Sequence, residues 1–261
     1  SDGLLNDFVE CIDVDIYDNV WVGTSIGVQL FDGANSINYN TSNSPGMAAN
    51  NIKVIKSMSN GDIWIGTDYG ASRFDGADWT TYNSLNGLNN DQVYSIDESP
   101  SGEIWIGTHA GVSYYNGTAW YSYGYPDLHW SGVNGTAFDS QGNIWFASPL
   151  GGVTYKVGNV FIPYDTADGL LSQNVTSILI DSWDNKWIGT GGGVSILDAT
   201  NTTFTHHTRM YIMPPPDTLN PVVDIQMDIL GRPWVAIYVG YLAEGGVAVW
   251  ESHIDDWTDY D

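Results

Sequence analysis

Apolar and polar residues alternate over four or five positions and are then interrupted by Gly, Asn or Asp, the pattern of short half-exposed β-strands. Residues 44–84 show it in full. Ile52-Lys53-Val54-Ile55 predicts a first strand, and Ser59-Asn60-Gly61-Asp62 a tight turn with Gly where positive φ is wanted. Ile63-Trp64-Ile65-Gly66-Thr67 predicts a second strand, followed by a glycine corner at Gly70. Ala71-Ser72-Arg73-Phe74 predicts a third, closed by the turn Asp75-Gly76, and Trp79-Thr80-Thr81-Tyr82 a fourth. Asn83 to Asn90 leads into the next unit.

The phrase around Trp64 recurs along the whole chain. Its other copies are Asp18-Asn19-Val20-Trp21-Val22-Gly23-Thr24, Gly102-Glu103-Ile104-Trp105-Ile106-Gly107-Thr108, Gly142-Asn143-Ile144-Trp145-Phe146-Ala147-Ser148, Asp184-Asn185-Lys186-Trp187-Ile188-Gly189-Thr190 and a decayed Gly231-Arg232-Pro233-Trp234-Val235-Ala236-Ile237. The anchor tryptophans follow one another at intervals of 40 to 47 residues. That period suits four short strands and their turns. Six copies predict an all-β chain folded as a single six-bladed β-propeller domain over residues 1–261, with four antiparallel strands per blade. Joined end to start, Trp257-Thr258-Asp259-Tyr260-Asp261 and Ser1-Asp2-Gly3-Leu4 read like the internal junction Trp79 to Leu88. Both ends are therefore expected in one interblade loop, with no strand exchange.

Composition narrows the partners. Charged residues make up 15%, with Lys+Arg 7 against Asp+Glu 31 and a formal net charge of −24. So few cations cannot build a phosphate-neutralising surface, which excludes nucleic acid as a partner, and an anionic membrane surface repels the chain. No apolar run approaches the ~20 residues of a membrane span, so no direct membrane insertion is expected. The first residues begin no signal peptide, and the chain reads as mature or as an excised domain, monomeric when isolated. The single Cys11 lies in the alternation Phe8-Val9-Glu10-Cys11-Ile12 and is expected as a core thiol.

The residues that repeat are scaffold, and those that do not are candidates for function. Trp21, Trp64, Trp105, Trp145, Trp187 and Trp234, flanked by Ile or Val, are expected in blade-to-blade packing. Asp13, Asp15 and Asp18 begin like a calcium loop, but no Gly stands at the sixth place and no acid closes it. They read, like Asp139 and Asp181, as acids bonding local backbone, and neither metal nor other cofactor is assigned. The five histidines, His109, His129, His206, His207 and His253, form no catalytic motif, and no catalytic residue is assigned. Turns at one end of the blades repeat almost unchanged, whereas the interblade loops and glycine corners at the other end vary. Variable loops on a rigid scaffold are where binding is expected. The candidate ligand contacts are Asp68, Tyr69, His109, Tyr125, His129, Trp130, Tyr241 and Glu244.

Several of these phrases carry a family likeness. Gly169-Leu170 through Ile178, Asn185 through Thr190, Gly192-Gly193-Val194-Ser195, Phe74-Asp75-Gly76 and Trp79 to Tyr82 resemble the two-component regulator propeller repeat. The resemblance implies an extracytoplasmic bacterial domain, periplasmic, cell-surface or secreted, of the kind found in hybrid sensor kinases. Those sensors are longer chains with more blades, a membrane span and a kinase. The sixth repeat also departs, with a long Ile237-to-Gly246 corner and the stretch Pro214-Pro215-Pro216. Three readings stand: a non-enzymatic binding or sensing propeller for a glycan or surface protein; a carbohydrate or lactone lyase or hydrolase using His109 or His129 at the channel mouth; and a structural module of a bacterial surface protein.

Overall fold

The computed structural model describes residues 3–128, 130, 132–210, 220–239, 244–251 and 256–260, with the backbone alone for residues 239, 244, 245 and 260. Among these residues there is no helix, and hence none long and apolar enough to cross a membrane. The strands form six four-stranded antiparallel sheets, spanning residues 9–39, 54–82, 93–123, 135–164, 175–207 and 222–260. In each, the strands lie in chain order, so the anchor phrase is always the second strand. The fold is that of a six-bladed β-propeller. Ser1, Asp2 and Asp261, on which the expectation of joined ends rests, lie outside the described residues.

Sheets 1 to 3 belong to one compact unit and sheets 4 to 6 to another. Within the first unit, Trp21 of sheet 1 packs with Ile52, Ile55, Ile63 and Ile65 of sheet 2. Trp64 of sheet 2 packs in the same way with Val93, Ile96, Ile104 and Ile106 of sheet 3. In the second unit Trp145 meets Val175, Ile178 and Ile188, and Trp187 meets Val222, Ile225, Val235 and Ile237. The tryptophan of one sheet thus covers the first and second strands of the next. Five phrase tryptophans are buried, as expected for packing residues; Trp234 is only half-buried.

Glycine in the phrase is dictated by this packing. A Cβ on Gly66 would stand 2.4 Å from Val93 Cγ1 and 2.6 Å from Val54 Cγ1. Sheet 4 reverses the pair: Ala147 takes the phrase position and its cross-strand partner is Gly135. There the phrase position carries a methyl group and the strand opposite is the one left bare.

The turn before the phrase explains the repeated acids. Asp15 Oδ1 accepts the N–H groups of Tyr17 and Asn19 at 2.9 and 3.0 Å, while Oδ2 accepts Asn19 Nδ2 and Trp21 Nε1, each at 2.9 Å. Asp181 makes the same four bonds to Trp183, Asn185 and Trp187. Asp228 bonds the Trp234 indole at 3.1 Å, with Arg232 in place of the asparagine. Where the first residue is Met58 or Ser99, the residue four places on is Asp62 or Glu103, so the first and fifth places of one turn never both hold a carboxylate. Asp18 and Asp184 take the left-handed place, at φ 63° and 65°, that Gly61 holds at 90°. Among the described residues no group of three His, Cys, Asp or Glu side chains could hold a metal ion.

Three details differ from the pattern. The first strand of sheet 2 is Val54–Ser57, not residues 52–55, because Ile52 N donates to Thr24 O of sheet 1 at 3.0 Å before the ladder begins. Cys11 is half-buried against the first core cluster, and desolvation, with Glu10 and Asp13 adding to it, pushes its thiol up to about 12. Lys186 stands where four of the other phrases have Ile or Val and the last has Pro233. It is buried, with Nζ bonded to Asn201 Oδ1 and 5.0 Å from the centre of the Trp145 ring, and burial lowers its pKa.

Candidate functional site

Each glycine corner is built by the threonine that ends the anchor phrase. Thr67 Oγ1 donates to Gly70 O at 2.8 Å and accepts the N–H of Tyr69 at 3.0 Å. Thr108 repeats this with Gly111 and Ala110. A Cβ on Gly70 would stand 2.4 Å from Tyr82 O, so the corner is locked against the chain leaving the fourth strand. In sheet 3, Asn89 of the preceding loop donates to Ser113 Oγ at 2.9 Å and to Ala110 O at 3.1 Å. Residues 68, 69 and 109 are therefore presented by rigid supports.

At this end of sheets 2 and 3 four side chains meet. Asp68 pairs with Lys53, which enters the first strand of sheet 2. Lys53 Nζ lies 5.5 Å from the ring centre of Tyr94, on the first strand Val93–Glu98 of sheet 3. The Tyr94 hydroxyl stands 3.2 Å from His109 Nδ1, and the two rings meet edge-on at 6.3 Å. Lys53 and Asp68 keep about a third of their side-chain surface in water, and an ion pair so placed adds at most about 1 kcal/mol to stability. Its consequence is a carboxylate, an ammonium, a phenol and an imidazole held in fixed positions. Tyr69, next to Asp68 in the same corner, is 70% exposed.

The opposite end of the same first strands is spent on joining sheets. Ser57 N donates to Asp13 at 2.6 Å, and Ser59 gives both its N–H and its hydroxyl to Glu98 at 2.7 Å. Lys56 pairs with Asp97 at 3.0 Å, and that charge, against the cost of burial, raises the lysine pKa.

Of the residues expected from sequence, Asp68 and His109 are linked through Lys53 and Tyr94, and Tyr69 follows Asp68 in the same corner. Tyr125 is 79% exposed and lies beyond the last strand of sheet 3. Trp130 belongs to the second unit, where its Cβ lies against Gly151, and is partly exposed. Glu244 opens a strand opposite Val239, but its side chain, like the whole of His129 and Tyr241, lies outside the described residues. Lys53 and Tyr94 escaped the sequence reading, which sought variation in loops alone. They occupy the same place in successive first strands, five residues before the turn, where other repeats have Glu10, Asn134, Thr176 and Val223. Variation at one strand position was the available signal.

Comparison with known proteins agrees with this architecture. Residues 87–110, the corner and anchor phrase of sheet 3, match the family model of the two component regulator propeller. That stretch is similar to the two-component regulator propeller repeat. No curated protein matches it. Among solved structures, the extracellular domain of a hybrid two component system from B. thetaiotaomicron superposes with a TM-score of 0.82 at 23% identity, over 99% of this chain and 34% of that one. The chain thus spans about a third of that domain. Virginiamycin B lyase from Staphylococcus aureus gives 0.73 at 13% identity, over 97% of this chain and 84% of the lyase. PorZ, a surface component of the type-IX secretion system of Porphyromonas gingivalis, gives 0.69 at 15%, over 99% and 42%. At these identities the likeness is one of fold.

Proposed function

We propose that this chain is an extracytoplasmic, non-enzymatic binding or sensing propeller whose ligand sits at the corner end of sheets 2 and 3. The observation that carries the reading is the chain of contacts Asp68–Lys53–Tyr94–His109, at a corner that also carries the exposed Tyr69. The extracellular domain and the surface component of like fold support the location. Donors and acceptors fixed beside a free aromatic face suit a polyhydroxylated ligand, which stacks one face and hydrogen-bonds along its edge. A formal charge of −24 disfavours an acidic one. A neutral glycan fits both conditions better than a surface protein. Tyr125 and Trp130 are further candidate contacts on their own loops.

The test is a screen of neutral oligosaccharides, followed by calorimetry on the binder found. Tyr69→Ala and Tyr94→Phe should each weaken binding by about tenfold or more, the loss of one stacking or hydrogen-bonding contact. Tyr17→Ala, an exposed tyrosine in the turn before the first phrase, should leave it unchanged. Unaltered affinity in both site variants, with circular dichroism intact, removes this site. A second reading, a carbohydrate or lactone lyase, is favoured by the Tyr94–His109 hydrogen bond beside a carboxylate and an ammonium, the composition of an acid–base site. Turnover of the bound glycan that disappears in His109→Ala would select it.

A further inference from the structure

Asparagine stands before glycine at Asn60-Gly61, Asn86-Gly87, Asn116-Gly117 and Asn134-Gly135. Such a side chain is open to attack by the next backbone nitrogen, because glycine has no Cβ in the way. The fold closes three of these pairs. Gly61 N donates to Met58 O at 2.9 Å, and both ends of the Asn60 amide are held by Asp62. Asn86 Nδ2 donates to Thr81 O at 2.9 Å while Oδ1 accepts Asn83 N at 2.6 Å. Asn134 Nδ2 donates to Val175 O at 3.4 Å, and Gly135 is fixed in a strand opposite Ala147. Asn116-Gly117 is left open, in the exposed hairpin between the third strand, Gly111–Tyr115, and the fourth, Trp120–Tyr123, of sheet 3. Among the described residues neither Gly117 N nor Asn116 Nδ2 has a hydrogen-bond partner. Asn116 Oδ1 instead gathers three donors: Thr118 N at 3.0 Å, Thr118 Oγ1 at 2.9 Å and Ala119 N at 2.9 Å.

We propose that Asn116 is a self-modifying residue, which its hairpin converts to an acid by intramolecular deamidation. Gly117 N loses its proton to base from water and bonds to Asn116 Cγ, while the carbonyl electron pair moves onto Oδ1. The three donors around Oδ1 stand where that negative charge develops, as in an oxyanion hole. As the pair returns, the Cγ–Nδ2 bond breaks, ammonia leaves with a proton from water, and a succinimide ring remains. Water opens the ring at one carbonyl or the other, giving aspartate or isoaspartate. The turn already suits the aspartate. Sheets 1 and 2 have Asp32-Gly33 and Asp75-Gly76 at this place, each accepting the N–H groups two and three residues on at 2.6 to 3.0 Å. Those backbone N–H groups hold both carboxyls below their ordinary pKa. The reaction lies within one hairpin and does not depend on the ligand reading.

In the experiment the full chain is kept at mildly alkaline pH, native in one sample and unfolded in urea in another. Peptide mass spectrometry follows the amide-to-acid mass gain at each Asn-Gly pair. In the native sample Asn116 should convert at least about tenfold faster than Asn60, Asn86 or Asn134, and in urea that lead should vanish. Thr118→Val removes the hydroxyl donor and should slow native conversion at Asn116 about threefold or more, whereas Thr118→Ser should keep the original rate. A native Asn116 that stays an amide while the urea sample converts overturns the proposal. So does another pair that keeps pace with it, the same lead in urea, or a Thr118→Val chain that converts as fast as the original.

Discussion

Asp15→Asn tests whether the acid of the first turn secures the tryptophan that joins sheets 1 and 2. The amide keeps Oδ1 for the backbone N–H groups of Tyr17 and Asn19. It replaces Oδ2 by an NH2 group facing two donors, Trp21 Nε1 and Asn19 Nδ2, each now bonded at 2.9 Å. A hydrogen bond to an ionised group contributes about 1.5–3 kcal/mol. Asn19 can turn to water, whereas Trp21 is buried and cannot. The expected loss is about 2–4 kcal/mol, most of it from the stranded indole N–H. It should appear as a lower urea midpoint at unchanged slope and a fall in Tm of about 5–12 °C. Trp21→Phe removes the donor, so in that background the penalty should shrink by about 1 kcal/mol or more. Burial alone would raise the Asp15 pKa, but the hydrogen bonds from Trp21, Asn19 and Tyr17 outweigh it and hold the carboxyl below its ordinary value. A carboxyl with a depressed folded pKa contributes stability above the unfolded value, about 3.9, and loses it as pH falls through the folded one. The gap between wild type and variant should therefore be constant from about pH 5 to 8 and narrow below about pH 4. A penalty under about 0.5 kcal/mol, or one equal in both backgrounds, would refute the reasoning.

Two further outcomes follow from the packing. Gly66→Ala should cost about 1–3 kcal/mol by overpacking Val54 and Val93, while Gly135→Ala, whose Cβ would meet nothing closer than 3.5 Å, should change the urea midpoint little; equal effects would contradict the close approach. Cys11, its thiol raised to about 12 by burial and then by Glu10 and Asp13, should resist a thiol reagent at pH 8 in the native protein and react once guanidinium unfolds it; rapid native labelling would show the thiol to be accessible.

The repeat was legible in the sequence because each of its signals is local. Strand alternation, a left-handed turn residue at Gly61 or Asp18, and a glycine where two strands and a neighbour converge are demands that a single residue meets or fails. Repetition then multiplied weak signals into a blade count. The burial of Trp21, Trp64, Trp105, Trp145 and Trp187 followed from the same regularity, and Asp68, Tyr69 and His109 were visible as departures from it at the corners. Other features needed the tertiary structure, because they depend on which residues of separate repeats come within reach. Lys53 and Asp68 come from separate segments of one repeat, and Tyr94 and His109 from separate segments of the next, so no linear spacing announces the cluster they form. The half-burial of Trp234 and the exposure of Ile12 are of the same kind. The sequence makes those positions as apolar as their equivalents, but their exposure is decided by neighbours and not by the residues themselves.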